Sequence, residues 1–210
     1  MPVARVKICG LTDENAARMA ASAGADAIGL VFYPPSKRYV TTSQAASIAS
    51  VIPPFVQRVG LFVNETKETV ERIKEAVQLD LLQFQGAESP EYCESFNFPY
   101  IKALQMKPGV DITESFRAFP NARAFLLDTY HPDQHGGIGE TFNWDEFPDY
   151  SDKPLILAGG LNSDNVQDAI KACRPYAVDV SSGVESGPGI KSTEKMQAFV
   201  RSAKSIEVMS

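Results

Sequence analysis

Two residues far apart in the chain carry side chains that could move protons. Cys9 closes the apolar run "RVKIC" just before Gly10, and Asp128 closes "AFLLD". A thiol that can ionise and a carboxyl that can be protonated make a base and an acid, provided the fold brings them together. Each has a plainer reading. Cysteine is a small hydrophobe that often sits inert in a core, and aspartate commonly caps the turn after a strand. Parity adds a second observation. Arg5, Lys7 and Cys9 alternate with Val6 and Ile8, and Ala177, Asp179 and Ser181 alternate with Val178 and Val180. Leu81, Gln83 and Gln85, and likewise Ala124, Leu126 and Asp128, share a parity in their own runs. Alternate residues of a strand share a face, so each polar set can point one way while its apolar neighbours point the other. If the first and last strands adjoin, Lys7 meets Asp179, either as a structural ion pair or as part of a site.

Three further segments suit an anionic ligand. "LAGGLNSDN" (157–165) runs from strand through Gly-Gly to a helix start, and "VDVSSGVESGPG" (178–189) runs from strand into a glycine-rich loop. Backbone amides with no bulky side chain over them can cradle phosphate. "FYPPSKRYV" (32–40) adds a basic pair, Lys37 and Arg38, on a loop stiffened by Pro34 and Pro35. The two-pronged guanidinium of Arg38 fits a carboxylate.

The elements that must position these groups alternate along the whole chain. Candidate strands are Val3–Cys9, Ala27–Phe32, Gln57–Val63, Leu79–Gln85, Tyr100–Leu104, Ala124–Asp128, Pro154–Ala158 and Ala177–Ser181. Helical patterns fill 12–24, 64–77, 162–173 and 192–206, with Val70, Ile73, Ala76 and Val77 forming one apolar stripe. Strand and helix repeat about eight times at roughly 25 residues per unit, which favours a closed single-domain (β/α)8 TIM barrel over residues 1–210. In such barrels the active site lies at the C-terminal ends of the strands, and the loops after strands 7 and 8 frequently bind phosphate. The segment 129–148 reads as a lid rather than a standard helix, being glycine-rich with aromatics at its end.

Composition narrows the class. The chain has 210 residues, 44% hydrophobic and 22% charged, and a net charge of −6. That balance offers no general basic field for nucleic acid or an anionic membrane. No segment approaches the ~18–20 apolar residues of a membrane span, and strand-like sequence from about residue 3 leaves no room for a signal peptide. Cys9, Cys93 and Cys173 are widely spaced and odd in number, which argues against a disulfide framework. With only His131 and His135 besides, a metal site is not expected either. A reduced, cytoplasmic protein follows, with Cys93 and Cys173 read as structural on helical patterns.

The assembled segments resemble the phosphoribosylanthranilate isomerases of tryptophan biosynthesis, a (β/α)8-barrel family. The resemblance rests on "VKICGLT", "GADAIGLVFYPPSKRYV", "RVGLFVN", "FLLDTY", "GGIGETFNW", "PLILAGGLNSDNV" and "YAVDVSSGVESGPGIK", in order and along nearly the whole chain. It implies an Amadori rearrangement of N-(5-phosphoribosyl)anthranilate to the 1-deoxyribulose phosphate, without cofactor or metal. It places the general base on Cys9 and the general acid on Asp128. Substrate contacts fall on Arg38, which would hold the anthranilate carboxylate, and on Gln83 and Asp179. Phosphate falls on Gly160, Leu161, Ser182 and Gly183. The implied partner is the small-molecule substrate alone, with the protein a monomer or homodimer.

The chain departs from the family pattern in places. Strand 4 usually ends Gln-Leu-His-Gly-Asp and here reads "QFQGAE", so Gln85 stands for His and Ala87 for Asp. Ile138 replaces a threonine, Gly187 a polar residue and Ser192 an acidic one. These departures are expected to touch only peripheral contacts. The nearest rivals are other phosphate-binding barrels of the pathway, indole-glycerol-phosphate synthase or the tryptophan synthase α subunit. A catalytically silent phosphosugar-binding barrel is a rival of another class. At neutral pH an unperturbed Asp (~3.9) is charged and an unperturbed Cys (~8.5) is mostly thiol. The site is therefore expected to raise Asp128 and to favour the Cys9 thiolate, with Lys7 as the candidate for the second task.

Overall fold

The computed structural model describes residues 3–106, 112–129, 143–148 and 151–206. Eight parallel strands close into a barrel in chain order: β1 (Arg5–Cys9), β2 (Ala27–Val31), β3 (Gln57–Phe62), β4 (Leu81–Phe84), β5 (Tyr100–Met106), β6 (Ala124–Thr129), β7 (Leu155–Leu157) and β8 (Ala177–Val180). β8 returns to pair with β1, setting Lys7 opposite Asp179. Seven helices accompany them among the described residues: α1 (Glu14–Ala23), α2 (Thr42–Ser50), α3 (Lys67–Val77), α4 (Pro90–Glu94), α5 (Ile112–Ala118), α6 (Val166–Cys173) and α7 (Thr193–Lys204). Each predicted strand is present to within two residues at either end.

Strand parity divides the core into two parts. Val6, Ile8, Ile28, Leu30, Phe62, Leu82, Phe84, Phe125, Leu127, Val178 and Val180 belong to the shell between strands and helices. Ile101, Ala103, Ala124, Leu126, Ile156, Ala158 and Ala177 form a separate cluster inside the barrel, with Leu81 against it. Large aromatics therefore lie outside the barrel, where Phe32 and Phe62 stack at 5.1 Å and Phe84 meets Tyr92, Phe96 and Tyr100. Fully burying each such side chain contributes about 1.5–3 kcal/mol. The interior is apolar toward the N-terminal ends of the strands. Toward their C-terminal ends it turns polar, with Lys7, Gln83, Gln85, Asp128 and Asp179 all buried.

Caps set the helix starts. The Asp13 side chain accepts from Ala16 N and the chain leaves α1 at Gly24 in the left-handed conformation. Thr41 and Gln44 form a reciprocal capping box at α2, and Ser192 caps α7 by accepting from Lys195 N. α2, α4 and α5 are absent from the sequence reading, for identifiable reasons. α2 is a short Ala/Ser segment with little contrast between its faces, α4 has five residues, and α5 buries none of its side chains. The segment 178–189 also differs from the expected plain loop. A 3-10 turn at Ser182–Val184 leads into a small hairpin of β9 (Glu185–Gly187) and β10 (Ile190–Lys191). Of the expected lid, residues 130–142, which include His131, His135 and Ile138, lie outside the described residues.

Candidate active site

Cys9 and Asp128 stand on β1 and β6, which are not neighbours, at the same C-terminal end of the barrel. Both are buried. Asp128 is held at both oxygens. Its Oδ1 accepts the Thr129 amide at 2.9 Å, so it does cap its own strand end, and its Oδ2 accepts Gln85 Nε2 at 3.1 Å. Gln85 Oε1 in turn accepts Gln83 Nε2 at 2.8 Å. Burial, and then the nearby Asp179 charge, push the Asp128 carboxyl up to about 6, against the pull of its hydrogen bonds and of Lys7. The expected rise is therefore present.

The expectation for Cys9 needs correction. Lys7 and Lys191 do pull its pKa down, but burial outweighs them and Asp179 opposes them, so the thiol sits above its usual value. A small neutral thiol costs little to bury, whereas a thiolate in the same place must be desolvated. Lys7 is paired with Asp179 at 2.9 Å, both side chains nearly inaccessible. Burial disfavours its charge, yet Asp179 and Cys9 more than compensate, and its pKa rises. Asp179 is thus engaged by Lys7 rather than left open toward the mouth. Gln83 likewise spends its amide on Gln85, with its Oε1 unpartnered among the described residues and the residue almost fully buried.

Arg38 follows β2 and crosses the end of β1. A Cβ on Gly10 would lie 2.6 Å from Arg38 Cδ, and Gly10 also has φ +77°. This explains the glycine after Cys9: the arginine stem occupies the space a side chain would need. The guanidinium makes a two-pronged contact with Glu185, Nε to Oε1 at 2.7 Å and Nη2 to Oε2 at 2.9 Å. Glu185 also receives Lys191 Nζ at 2.9 Å. Neither Glu185 nor Lys191 figured in the sequence reading, which took "GVESGPGIK" for its glycines alone. Their spacing across a tight hairpin was the available signal.

The two glycine-rich loops touch each other. A Cβ on Gly183 would fall 1.9 Å from the Leu161 carbonyl oxygen, so only glycine permits this approach. Gly159 and Gly160 both have positive φ, at +89° and +62°. Asn165 Nδ2 donates to Gly160 O, and the Asn162 carboxamide oxygen accepts from the amides of Asp164 and Asn165, which curls the loop after β7. The amides of Gly160, Leu161, Ser182 and Gly183 make no hydrogen bond to any described residue. Four donors on two adjoining loops can receive a phosphate.

The departures at strand 4 resolve differently from expectation. Gln85 is not peripheral, because it binds the Asp128 carboxyl directly. Ala87 lies on the surface with its amide on Asn64 Oδ1, Ser192 is a helix cap, and Gly187 faces open space. The cavity of about 550 Å³ that Phe55, Leu81, Ile101, Ile156 and Tyr176 help to line is at the opposite, N-terminal end of the barrel. Among the described residues no group of three or more His, Cys, Asp or Glu is arranged to hold a metal ion.

Residues 6–202 match the sequence family described as N-(5'-phosphoribosyl)anthranilate (PRA) isomerase. The chain belongs to this family. It is 55% identical to the N-(5'-phosphoribosyl)anthranilate isomerase of Pseudomonas syringae pv. tomato over 95% of this chain and 97% of that one. Among solved structures it superimposes on a phosphoribosyl anthranilate isomerase in complex with reduced 1-(o-carboxyphenylamino)-1-deoxyribulose 5-phosphate. The TM-score is 0.86 and the identity 40%, covering 97% of this chain and 100% of that one. A second isomerase structure, of monomers generated from the dimeric Thermotoga maritima protein, matches with TM-score 0.85 and 38% identity over 97% and 100% of the two chains. Members of the isomerase family thus share this barrel along their length.

Proposed function

We propose that the protein catalyses the Amadori rearrangement of N-(5'-phosphoribosyl)anthranilate, with Asp128 as general acid and Cys9 as general base. The observation that carries this reading is a buried carboxyl raised to about 6 at the same barrel mouth as a buried thiol. At pH 7 a carboxyl titrating near 6 is protonated in roughly one molecule in ten, against fewer than one in a thousand at its ordinary value of 3.8. Protonated Asp128 donates to the furanose ring oxygen as the bond from that oxygen to C1′ breaks, and the anthranilate nitrogen lone pair forms an iminium. Cys9 thiolate then takes the C2′ proton, and the electrons of that C–H bond neutralise the iminium to give the enolamine. The enol proton leaves O2′ as C1′ gains one, giving the ketone. Return of a proton from the Cys9 thiol to the Asp128 carboxylate restores the site. The form with thiol and carboxylate holds as many protons as the form with thiolate and acid, so pH alone does not interconvert them. Burial keeps the thiol above its usual value and so disfavours the second form, and the pull of Lys7 and Lys191 lowers the cost of reaching it.

Arg38 supports carboxylate recognition through its remaining Nη1 and Nη2 edge, and the four loop amides support phosphate binding. Gln83 and Asp179 act from beneath the substrate, Gln83 through Gln85 and Asp179 through Lys7. The reading places one barrel domain over 1–210 in the cytoplasm, acting on a small molecule without a nucleic-acid partner. Among the described residues, no helix is long and apolar enough to cross a membrane. We further infer a homodimer. Phe55, almost fully exposed, stands on the rim of the N-terminal cavity, where Leu81, Ile101 and Ile156 lie among the charged Arg5, Asp26, Asp80 and Arg123, a knob and a socket on one face that a second copy can exchange. The experiment is loss of anthranilate fluorescence on feeding phosphoribosylanthranilate. Turnover by the protein and a Cys9→Ser variant slower by about 10²–10⁴ at similar KM support the assignment. Binding of a product analogue without turnover identifies a silent phosphosugar-binding barrel instead.

A further inference from the structure

We propose that Glu185 and Lys191 form a charge-balanced clamp, positioning residues that hold Arg38 rigid while keeping its end of the site cationic. This rests on the reading of Arg38 as the carboxylate anchor and goes beyond it. The two-pronged contact with Glu185 uses the Nε and Nη2 edge of the guanidinium. A guanidinium has two such edges, so one remains for a ligand carboxylate, in a fixed direction. An Arg–Glu pair alone is neutral, however, and its carboxylate would repel an incoming one. Lys191 restores the balance. Its side chain is wholly buried, and its Nζ bonds Glu185 Oε1 and the Ser181 carbonyl, both at 2.9 Å. Arg38, Glu185 and Lys191 together carry one net positive charge, as a lone arginine would, but without its freedom of motion.

The hairpin that carries the clamp is itself tied to the loops it serves. Thr12 Oγ1 donates to Gly189 O at 2.9 Å, and a Cβ on Gly189, at φ +79°, would lie 2.7 Å from Lys37 O. Lys195 Nζ holds Glu185 O at 2.7 Å, and Ser192 N closes the base of the hairpin on Val184 O at 2.9 Å. Burial opposes the charge of Glu185, but its bonds from Arg38 and Lys191 keep the carboxyl below its usual range.

The test compares two ligands by titration: reduced 1-(2-carboxyphenylamino)-1-deoxyribulose 5-phosphate and the same compound without the carboxylate. Lys191→Met should weaken binding of the first by about tenfold more than it weakens the second, the scale of a lost charge a few ångströms from the carboxylate. Any effect through the Ser181 carbonyl on the phosphate loop is common to both ligands. Glu185→Gln/Lys191→Met, which removes one charge of each sign, should bind the carboxylate ligand within about threefold of the parent protein. Equal weakening of both ligands by Lys191→Met, or no change for the carboxylate ligand, overturns the clamp. So does a double variant no better than Lys191→Met, or tenfold weaker than the parent if the single variant does not fold. Arg38→Ala is the separate control. If it does not discriminate between the two ligands, the carboxylate reading falls, whatever the Lys191 variants show.

Discussion

Replacing Asp128 by Asn removes the acid while relieving the fold of a charge it holds at a cost. The folded protein raises this carboxyl from 3.8 to about 6, so between those values the folded chain binds a proton that the unfolded chain has released. Stability therefore falls as pH rises through that window and is level above it. The rise corresponds to about 3 kcal/mol lost by pH 7.5. Asparagine has the same shape and no charge, but cannot accept on both sides from Thr129 N and Gln85 Nε2 without one amide turning, which costs roughly 1 kcal/mol. The net expectation is a gain of about 2 kcal/mol at pH 7.5, or a Tm higher by roughly 4–8 °C in a chain of this size. At pH 4.5 the same linkage leaves only about 1 kcal/mol, offset by the lost hydrogen bond, so the two melting curves should coincide. The assay is thermal unfolding followed by circular dichroism at both pH values, beside turnover measurements in which the variant should lose about 10²–10⁴ in kcat. A variant less stable at pH 7.5, or one stabilised equally at both pH values, would refute the argument that burial of ionised Asp128 strains the fold.

Gly183→Ala should force the loops after β7 and β8 apart, since its Cβ would meet Leu161 O. Inorganic phosphate should then protect the site about tenfold less well, while the circular dichroism spectrum stays that of the parent. Lys7→Met leaves Asp179 buried without its partner and should lower stability by about 3–5 kcal/mol in urea titration. Lys7→Met/Asp179→Leu, with no charge left unpaired, should regain most of that loss, whereas additive effects would count against a coupled pair. Phe55→Ser should shift a dimer to monomer in analytical ultracentrifugation without changing kcat. A parent protein that is already monomeric would remove the N-terminal face as an interface.

The chain's own residues determined a good deal before any coordinates. Period-two alternation in Arg5–Cys9, Ala124–Asp128 and Ala177–Ser181 placed Lys7, Cys9, Asp128 and Asp179 on inward faces, because side-chain direction along a strand is a local property. Strand–helix repetition likewise implied the closed barrel, and with it the neighbouring Lys7 and Asp179. Short helices such as Pro90–Glu94 left no periodic signal, being held by caps and tertiary packing rather than by a long apolar face.

What tertiary structure alone decided is how the charges balance once they are out of water. Sequence chemistry asked for a thiol pulled toward ionisation by Lys7. In the fold, desolvation outweighs that pull at Cys9, and the same effect raises Asp128. Gln85 looked like a peripheral loss of histidine until β4 and β6 brought its amide onto the acid. Arg38 looked like a free anchor until a hairpin about 147 residues later met it with Glu185 and Lys191. Facing and order are written in short stretches of chain. Desolvation and pairing depend on what the rest of the molecule places around each group.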